Sequence, residues 1–233
     1  MPIFERHSQS GSLLISFEAT DLVMAGWTGR DPAAVQRHID ELAALGVRPP
    51  SSTPLFYRVD PALLAGPVDE IRVIGDHSSG EVEVVLLAMA DGLWVGLGSD
   101  HTDRALEAHS VQLAKQLCRK PMADVLWSYD EVIDHWDQLI LRAHIVENGD
   151  RVLYQEGRLD QMSRPEALIG AYARERGLPA DAPLPVGTVM FCGALAAIGG
   201  IRPSARFEME LEDPVRQARI TKDYQAKVIA PVS

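Results

Sequence analysis

The amino-acid sequence predicts a fold of the α+β or mainly β class, built as a single domain over residues 1–233. The first observation behind this prediction is that most patterned segments are short apolar runs or alternate apolar with polar residues, as strands do. The second is that segments with helical spacing are fewer and lie between those strands. The third is the chain length, which is enough to bury a substantial core.

The first half of the chain is predicted to contain strands around one long helix. The stretch SLLISFEATDLVMAG (12–26) predicts one or two opening strands. The stretch DPAAVQRHIDELAALG (31–46) predicts a helix, with Asp31 as N-cap, Pro32 at the first helical position and Gly46 as the C-terminal stop. The Pro- and Ser-rich residues 48–60 are predicted to be a loop. Residues 70–100 then predict three strands, the last two joined by a tight turn at Ala-Asp-Gly.

The second half predicts two helices and the remaining strands. Residues 103–118 have helical spacing, and residues 164–178 predict a helix that ends at Gly177. Residues 132–157 predict strands on either side of the turn Glu-Asn-Gly-Asp. Three further segments predict the closing strands: GTVMFCGAL (187–195), ARFEMELED (205–213) and QARITKDYQAKVI (217–229).

Composition and charge restrict the class of function. Hydrophobic residues make up 46% and charged residues 24%, which is typical of globular proteins. The net charge of −11 does not supply the basic surface that nucleic-acid binding needs. An anionic small substrate would therefore need local positive charge or a bound cation.

The cellular setting is also predicted. The cysteines, Cys118 and Cys192, form no CxxC pair, so we expect no disulfide and a reducing compartment. The first residues lack the basic and apolar regions of a signal peptide, and no segment approaches ~18 uninterrupted apolar residues. We expect a cytoplasmic protein without membrane contact.

Three carboxylates suggest a cation site. Glu81 and Glu83 lie two residues apart on a predicted strand and therefore share one face. Asp100 ends the next strand, 17 residues after Glu83, so that only a hairpin fits between them. One interpretation is a solvated strand face. The other is an oxygen-rich site for Mg²⁺ or Mn²⁺, with Ca²⁺ as a further option.

Two histidines lie close to these acids in the sequence. As ligands, His77 or His101 would shift the metal preference toward Zn²⁺ or Fe²⁺. The alternative is an ordinary surface histidine or a hydrogen-bonded core histidine.

A histidine and a glutamate share a face of the first predicted helix. His38 and Glu41 are three residues apart, so the carboxylate can accept a hydrogen bond from the imidazole. Such a pair is a candidate general base with its orienting acid. The alternative is a weak pair on a solvated helix face.

The order of four stretches resembles the fumarylacetoacetate hydrolase superfamily and, more narrowly, a prokaryotic DUF2848-like subgroup of it. These stretches are GWTGRDPAAVQRHIDE (26–41), EVEVVLL (81–87), WVGLGSDHTDRALE (94–107) and PVGTVMFCGALAAIGGIRPSARFEMELED (185–213). The resemblance implies a distorted β-sandwich roll with short flanking helices, assembled as a homodimer. A departure is CGAL where the family has TGTP, which places Ala194 and Leu195 at the usual substrate grip.

The resemblance also implies roles for individual residues. Glu81, Glu83 and Asp100 would bind the metal, and His38 with Glu41 would activate water. Lys115 would donate to an oxyanion or a substrate carboxylate, or else lie on a helix surface. The candidates for substrate binding are Arg58, Arg104 and Gly193. Alternatively, Arg104 pairs with Asp103 or Glu107, and Gly193 serves a backbone turn. Cys192 is either a reactive thiol or a small buried packing residue.

The implied activity is that of a metal-dependent hydrolase. It would cleave a C–C bond of an acylpyruvate-like 2,4-dioxo acid, with a metal-stabilised enolate leaving group and water activated by the His–Glu pair. Three alternatives stay open on the same metal: decarboxylation, tautomerisation or hydration of an oxaloacetate-like 2-oxo acid. A fourth is a catalytically silent family member.

Overall fold

A computed structural model of the protein describes residues 1–44 and 49–232, without the side chains of His38, Glu41 and Leu42. Its strands are β1 (Ile3–Ser8), β2 (Gly11–Ser16), β3 (Asp21–Gly26), β4 (Leu55–Val59), β5 (Leu64–Ala65), β6 (Glu70–Ile74), β7 (Ser78–Ser79), β8 (Val82–Met89), β9 (Gly92–Ser99), β10 (Thr102–Asp103), β11 (Lys120–Pro121), β12 (Val125–Ser128), β13 (Ile140–Glu147), β14 (Asp150–Arg158), β15 (Thr188–Phe191), β16 (Arg206–Asp213) and β17 (Ala218–Ile229). Its α-helices are α1 (Pro32–Ala44), α2 (Arg104–Glu107), α3 (Val111–Gln116) and α4 (Pro165–Glu175). Short 3₁₀ turns cover Pro61–Leu63, Tyr129–Glu131, Ile133–Gln138 and Leu159–Gln161.

Two mixed sheets form the body of the protein. The larger has eight strands in the order β2-β1-β12-β9-β8-β15-β3-β4, and the smaller has five in the order β14-β13-β16-β17-β6. Two short pairs, β10 with β7 and β11 with β5, complete the strand pairing among the described residues. The predicted fold class is confirmed, since strands predominate and short helices flank them.

The central strand β8 is buried along its whole length because both of its faces meet apolar side chains. Val84 and Leu86 belong to the core between the two sheets, where Leu141 and Met209 of the five-stranded sheet meet them. The opposite face of β8, which includes Val85 and Leu87, faces a second core that Phe4, Met24 and Phe191 help to form. The larger sheet therefore carries apolar side chains on both faces. One face packs against the smaller sheet, as in a β-sandwich, and the other lines the second core.

Most of the predicted elements are confirmed. Strands β8 and β9 form the predicted hairpin across Ala-Asp-Gly, with Met89 paired to Gly92. The turn between β13 and β14 has φ of 52° at Asn148 and 89° at Gly149, the left-handed geometry of a tight hairpin turn. In α1, Asp31 accepts from the backbone N–H of Ala33 at 2.9 Å, as an N-cap does. The predicted stop at Gly46 lies outside the described residues.

Four details of the predicted elements are wrong. The predicted loop at 48–60 contains β4, which alternates in burial and pairs with β3 at a sheet edge. Strand β1 was not predicted, although it pairs with β2. The predicted helix at 103–118 breaks into α2 and α3, because Ser110 caps a new helix at Leu113 N–H. Residues 133–138 form 3₁₀ turns before β13 begins.

Among the described residues, no helix has both the length and the apolar character that crossing a membrane requires.

Candidate metal centre

The hairpin of β8 and β9 assembles the three predicted carboxylates. Val82 pairs with Ser99, so the next position outward places Glu81 opposite Asp100, and the N–H of Asp100 donates to the carbonyl of Glu81 at 3.0 Å. Glu83, two residues further along the same strand, shares the face of Glu81. One carboxylate oxygen from each of the three residues lies within 4.8 Å of the others.

Glu83 lies in a cradle of backbone and glycine. It is 2% exposed, and its Oε2 accepts from the N–H of Gly193 at 2.7 Å. Its partner across the ladder is Gly98, where an added Cβ would come within 2.7 Å of Phe191. Burial and the charge of Asp100 hold the pKa of Glu83 well above its usual range. The described hydrogen bond leaves Oε1 of Glu83 for a further ligand.

Two buried lysines neutralise Asp100. Lys115 of α3 contacts Oδ2 closely and lies 3.8 Å from Oε2 of Glu81. Nζ of Lys120 lies 2.8 Å from Oδ1 of Asp100 and donates to the carbonyl of His101 at 2.6 Å. Burial alone would raise the pKa of Asp100, but the two ammonium groups together hold it well below its usual range.

Arg104 joins the triad through Glu81. Its Nη2 lies 3.2 Å from Oε1 of Glu81, and its Nη1 donates to Glu107 at 2.8 Å. Its Nε donates to the hydroxyl of Ser79 at 2.7 Å. The structural pairing with Glu107, one of the two predicted alternatives, therefore occurs, and the contact of Arg104 with a substrate carboxylate stays a prediction. Asp103 caps α2 by accepting from Leu106 N–H at 3.0 Å.

A family model for "Protein of unknown function (DUF2848)" matches residues 25–224. The chain belongs to this family. Among curated proteins, none matches the DUF2848 chain.

Solved structures of low sequence identity share the fold of the DUF2848 chain. A 2-keto-3-deoxy-D-arabinonate dehydratase is 15% identical, with a TM-score of 0.64 over 94% of this chain and 77% of that one. Yeast ynq8, a fumarylacetoacetate hydrolase family protein, is 14% identical, with a TM-score of 0.62 over 92% and 95%. The 4-oxalocrotonate decarboxylase from Pseudomonas putida G7, complexed with magnesium and adipate, is 15% identical, with a TM-score of 0.57 over 89% and 77%. The predicted resemblance to the fumarylacetoacetate hydrolase superfamily is confirmed at the level of fold.

Neither histidine near the acids of the DUF2848 chain joins the triad in the described contacts. His101 is fully buried, and its ring nitrogens hydrogen-bond to Tyr224 at 2.8 Å and to Ser78 at 2.9 Å. Burial, with the nearby charges of Lys120 and Arg104, lowers the pKa of His101 to about 3, so the imidazole is neutral. The exposed His77 lies 3.4 Å from Asp76. The set of potential ligands therefore consists of carboxylates.

The other predicted residues have different surroundings in the DUF2848 chain. Arg58 donates to Asp21 at 2.9 Å, and no described contact joins it to the triad. Cys192 is buried, its Sγ is 3.7 Å from the carbonyl of Met190, and burial raises the pKa of its thiol, as for a packing residue. His38 and Glu41 lie on α1, but their side chains are outside the described part of the structure, so their pairing stays a prediction.

Gly193 is a backbone support of the site. Its φ is +96°, and an added Cβ would lie 2.0 Å from the hydroxyl oxygen of Thr28. Because its N–H already donates to Glu83, the observed role of Gly193 is to hold that carboxylate. Its predicted contact with substrate stays a prediction.

Lys120 was missed from the sequence. It precedes a proline in the short strand β11, and no periodicity or motif separates it from Arg119. It becomes part of the site only in the folded chain, where β11 pairs with the distant strand β5 and its ammonium contacts Asp100.

The residues present fit a hard divalent cation. Carboxylate oxygens are the ligands that Mg²⁺ and Mn²⁺ prefer, and their separations bring them to one ion. The buried Glu83 offers independent support, since burial disfavours its charge unless a cation lies beside it. Glu81, Glu83 and Asp100 are therefore the residues that would hold the ion.

Proposed function

We propose that this DUF2848 protein is a metal-dependent enzyme that cleaves a C–C bond of an acylpyruvate-like 2,4-dioxo acid by hydrolysis. The observation that carries the proposal is the oxygen triad of Glu81, Glu83 and Asp100 beside the cationic Lys115 and Arg104. A Mg²⁺ or Mn²⁺ ion held there supplies Lewis-acid polarisation of the two oxygens of a 2-oxo acid.

The charges around the triad favour an anionic substrate. Three carboxylates face three cationic side chains, those of Lys115, Lys120 and Arg104. These charges balance, although Glu107 also pairs with Arg104. A divalent cation therefore adds a surplus of positive charge in a largely buried site, which an anionic ligand offsets.

The cationic side chains have separate tasks in this proposal. Lys115 is on the helix α3, with its side chain 9% exposed, and can donate to a developing oxyanion or to the substrate carboxylate. Arg104 is anchored by Ser79 and Glu107, which leaves its charge fixed close to Glu81. Arg58, paired with Asp21, is a candidate for a more distant contact with the anion.

Hydrolysis also requires a base for water. We assign this role to His38, with Glu41 as the acid that orients its imidazole, because both residues lie three positions apart on α1. Helix α1 follows the loop after β3, a strand of the same sheet that carries the triad.

A panel of substrates tests the reaction. Acylpyruvates and oxaloacetate are incubated with the purified protein and Mg²⁺ or Mn²⁺, and loss of the enol is followed by ultraviolet absorbance. We expect metal-dependent cleavage of an acylpyruvate into pyruvate and a carboxylic acid. His38→Ala should reduce that cleavage by ~100-fold or more, the scale of general-base catalysis. Full hydrolysis by this variant would remove His38 from the mechanism.

Decarboxylation, tautomerisation or hydration of an oxaloacetate-like 2-oxo acid is the second candidate. The likeness to 4-oxalocrotonate decarboxylase and to 2-keto-3-deoxy-D-arabinonate dehydratase favours it. Decarboxylation and tautomerisation use the metal site without an attacking water, so His38→Ala should leave CO₂ release from oxaloacetate largely intact. Hydration adds water to the substrate, so that reaction would lose rate in the same variant. Metal binding with no turnover of any 2-oxo acid would instead indicate a catalytically silent family member.

A further inference from the structure

Lys115 contacts two of the three carboxylates that would hold a cation. Its ammonium contacts Oδ2 of Asp100 and is 3.8 Å from Oε2 of Glu81, two of the three potential ligands. A magnesium ion on the same oxygens would lie ~2.1 Å from each of them. The ammonium and the ion would therefore share ligands at a short separation, where two positive charges repel strongly in a buried site.

Lys120 differs from Lys115 although both contact Asp100. Lys120 lies on the other oxygen, Oδ1, is 0% exposed and also donates to the carbonyl of His101. That second partner is outside the triad and fixes its ammonium. Lys115 has no such backbone partner among the described hydrogen bonds, and its ammonium lies 5.8 Å from the centre of the Tyr57 ring. An aromatic face at that distance can hold an ammonium group.

We propose that Lys115 competes with the metal for the triad. Its ammonium holds the position between Asp100 and Glu81, and a divalent cation that binds there displaces it toward the ring of Tyr57. The inference depends on the proposed function only in requiring a metal at the triad.

Displacement has a consequence for substrate binding. The ammonium that leaves Asp100 loses its counterion and becomes available to an anion at the metal. Metal binding and anion binding are therefore coupled through one side chain. The metal affinity of the wild-type protein is lower than the triad alone would provide, because each binding event must break the contacts of Lys115.

Metal affinity tests the competition. Mn²⁺ binding is measured by titration calorimetry without substrate for wild type, Lys115→Met and Lys120→Met, after circular dichroism has shown that each variant is folded. We expect Lys115→Met to bind Mn²⁺ roughly ten-fold more tightly or better, a gain of about 1.4 kcal/mol per ten-fold. Unchanged or weaker binding by Lys115→Met would overturn the proposal.

Lys120→Met is the matched control. Like Lys115→Met, it removes one positive charge beside Asp100. The lysine that it replaces contacts the other oxygen, Oδ1, and is not displaced by the metal in this proposal, so the variant reports the electrostatic effect alone. We expect a smaller gain for it. An equal gain in both variants would reduce the effect to general charge removal and overturn the proposal. If Lys120→Met does not fold, Arg104→Met takes its place, since Arg104 contributes one charge beside Glu81.

The wild-type protein provides a second measurement. Acetic anhydride labels accessible, uncharged amines, and mass spectrometry gives the extent of labelling at each lysine. Mn²⁺ should increase labelling of Lys115, because it loses its carboxylate partners, while the fully buried Lys120 stays protected. Labelling of Lys115 that is unchanged or reduced by Mn²⁺ would contradict displacement.

Failure of this inference and failure of the proposed reaction are distinguishable. The affinities need no substrate, so tighter Mn²⁺ binding by Lys115→Met, together with no turnover of any 2-oxo acid by the wild type, would remove the reaction alone. Metal-dependent turnover by the wild type, with no gain in affinity in Lys115→Met, would remove the competition alone.

Discussion

At the scale of single residues, the surroundings of each carboxylate determine its charge. Glu83 and Asp100 are both buried, yet their pKa values move in opposite directions. Glu83 has a backbone N–H as its hydrogen-bond partner, and burial dominates. Asp100 has two ammonium groups, and their charges dominate. The hairpin therefore contains one carboxylate, Asp100, that is held as an anion, and another, Glu83, whose ionisation is favoured only when a cation lies beside it.

His101 should make folding stability depend on pH. Its pKa in the folded state is about 3, against the usual 6.5 that applies on unfolding, so the unfolded chain binds the extra proton between these values. Stability from this residue is complete above pH 6.5 and is lost as the pH falls toward 3. The loss at pH 5 is roughly 2 kcal/mol.

Chemical denaturation at pH 7.5 and at pH 5 measures this effect. In His101→Gln the decrease between the two pH values should shrink by that amount. The exposed His77 is the matched control, and His77→Gln should leave the decrease unchanged. An identical pH dependence in His101→Gln and wild type would contradict the assignment.

Gly193→Ala tests the support of Glu83. The added Cβ would lie 2.0 Å from the Thr28 hydroxyl oxygen, and the alanine would have to adopt a φ of +96°. We expect a loss of unfolding free energy of about 2 kcal/mol or more. Gly149→Ala is the control, since Gly149 has a similar φ of +89° but nothing within 4 Å of the added atom. Thermal denaturation should show a clearly larger loss for Gly193→Ala, and equal losses would mean that the contact with Thr28 is unimportant.

At the scale of elements, the β8–β9 hairpin explains why the sequence predicted the triad but missed one of its counterions, Lys120. A period of two places Glu81 and Glu83 on one face, and the short turn brings Asp100 opposite Glu81. These are local relations, which a sequence displays directly. Lys120 reaches Asp100 only through the pairing of β11 with β5, which no local pattern specifies. Strand β4 was not predicted because its alternation of buried and exposed residues is short and directly follows a segment rich in proline and serine, which is typical of loops.

The loop before α1 is anchored by Arg30. Its guanidinium donates to both oxygens of Asp137 at 2.7 Å and to the carbonyls of Met162 and Leu159. Because α1 begins two residues later, this contact fixes the start of the helix that carries His38.

Asp137→Asn should therefore affect both stability and activity. We expect a loss of about 1–2 kcal/mol of unfolding free energy and a fall in kcat of the proposed hydrolysis. The partly exposed pair of Arg158 and Asp160 provides the control, and Asp160→Asn should change neither quantity appreciably. A stable Asp137→Asn variant with normal kcat would show that the anchor does not position α1.

At the scale of the whole molecule, the rolled eight-stranded sheet encloses one core and shares a second with the smaller sheet. The sequence did not predict the two cores, because they depend on the order in which distant strands pair.

The predicted homodimer also belongs to this scale. Strand β2 is at the edge of the larger sheet and exposes Leu13 and Leu14. An exposed apolar edge of this kind is a candidate interface. Light scattering should give twice the 25.5 kDa mass of the chain, and a monomer at micromolar concentration would contradict the prediction.

The central claim is that Glu81, Glu83 and Asp100 bind one divalent cation. Mn²⁺ titration followed by electron paramagnetic resonance measures it directly, since free Mn²⁺ gives a sharp signal that binding broadens. We expect one Mn²⁺ per wild-type chain, and affinity reduced roughly a hundred-fold or more in the double variant Glu83→Gln with Asp100→Asn. No binding by the folded wild type, or equal binding by the double variant, would contradict the account.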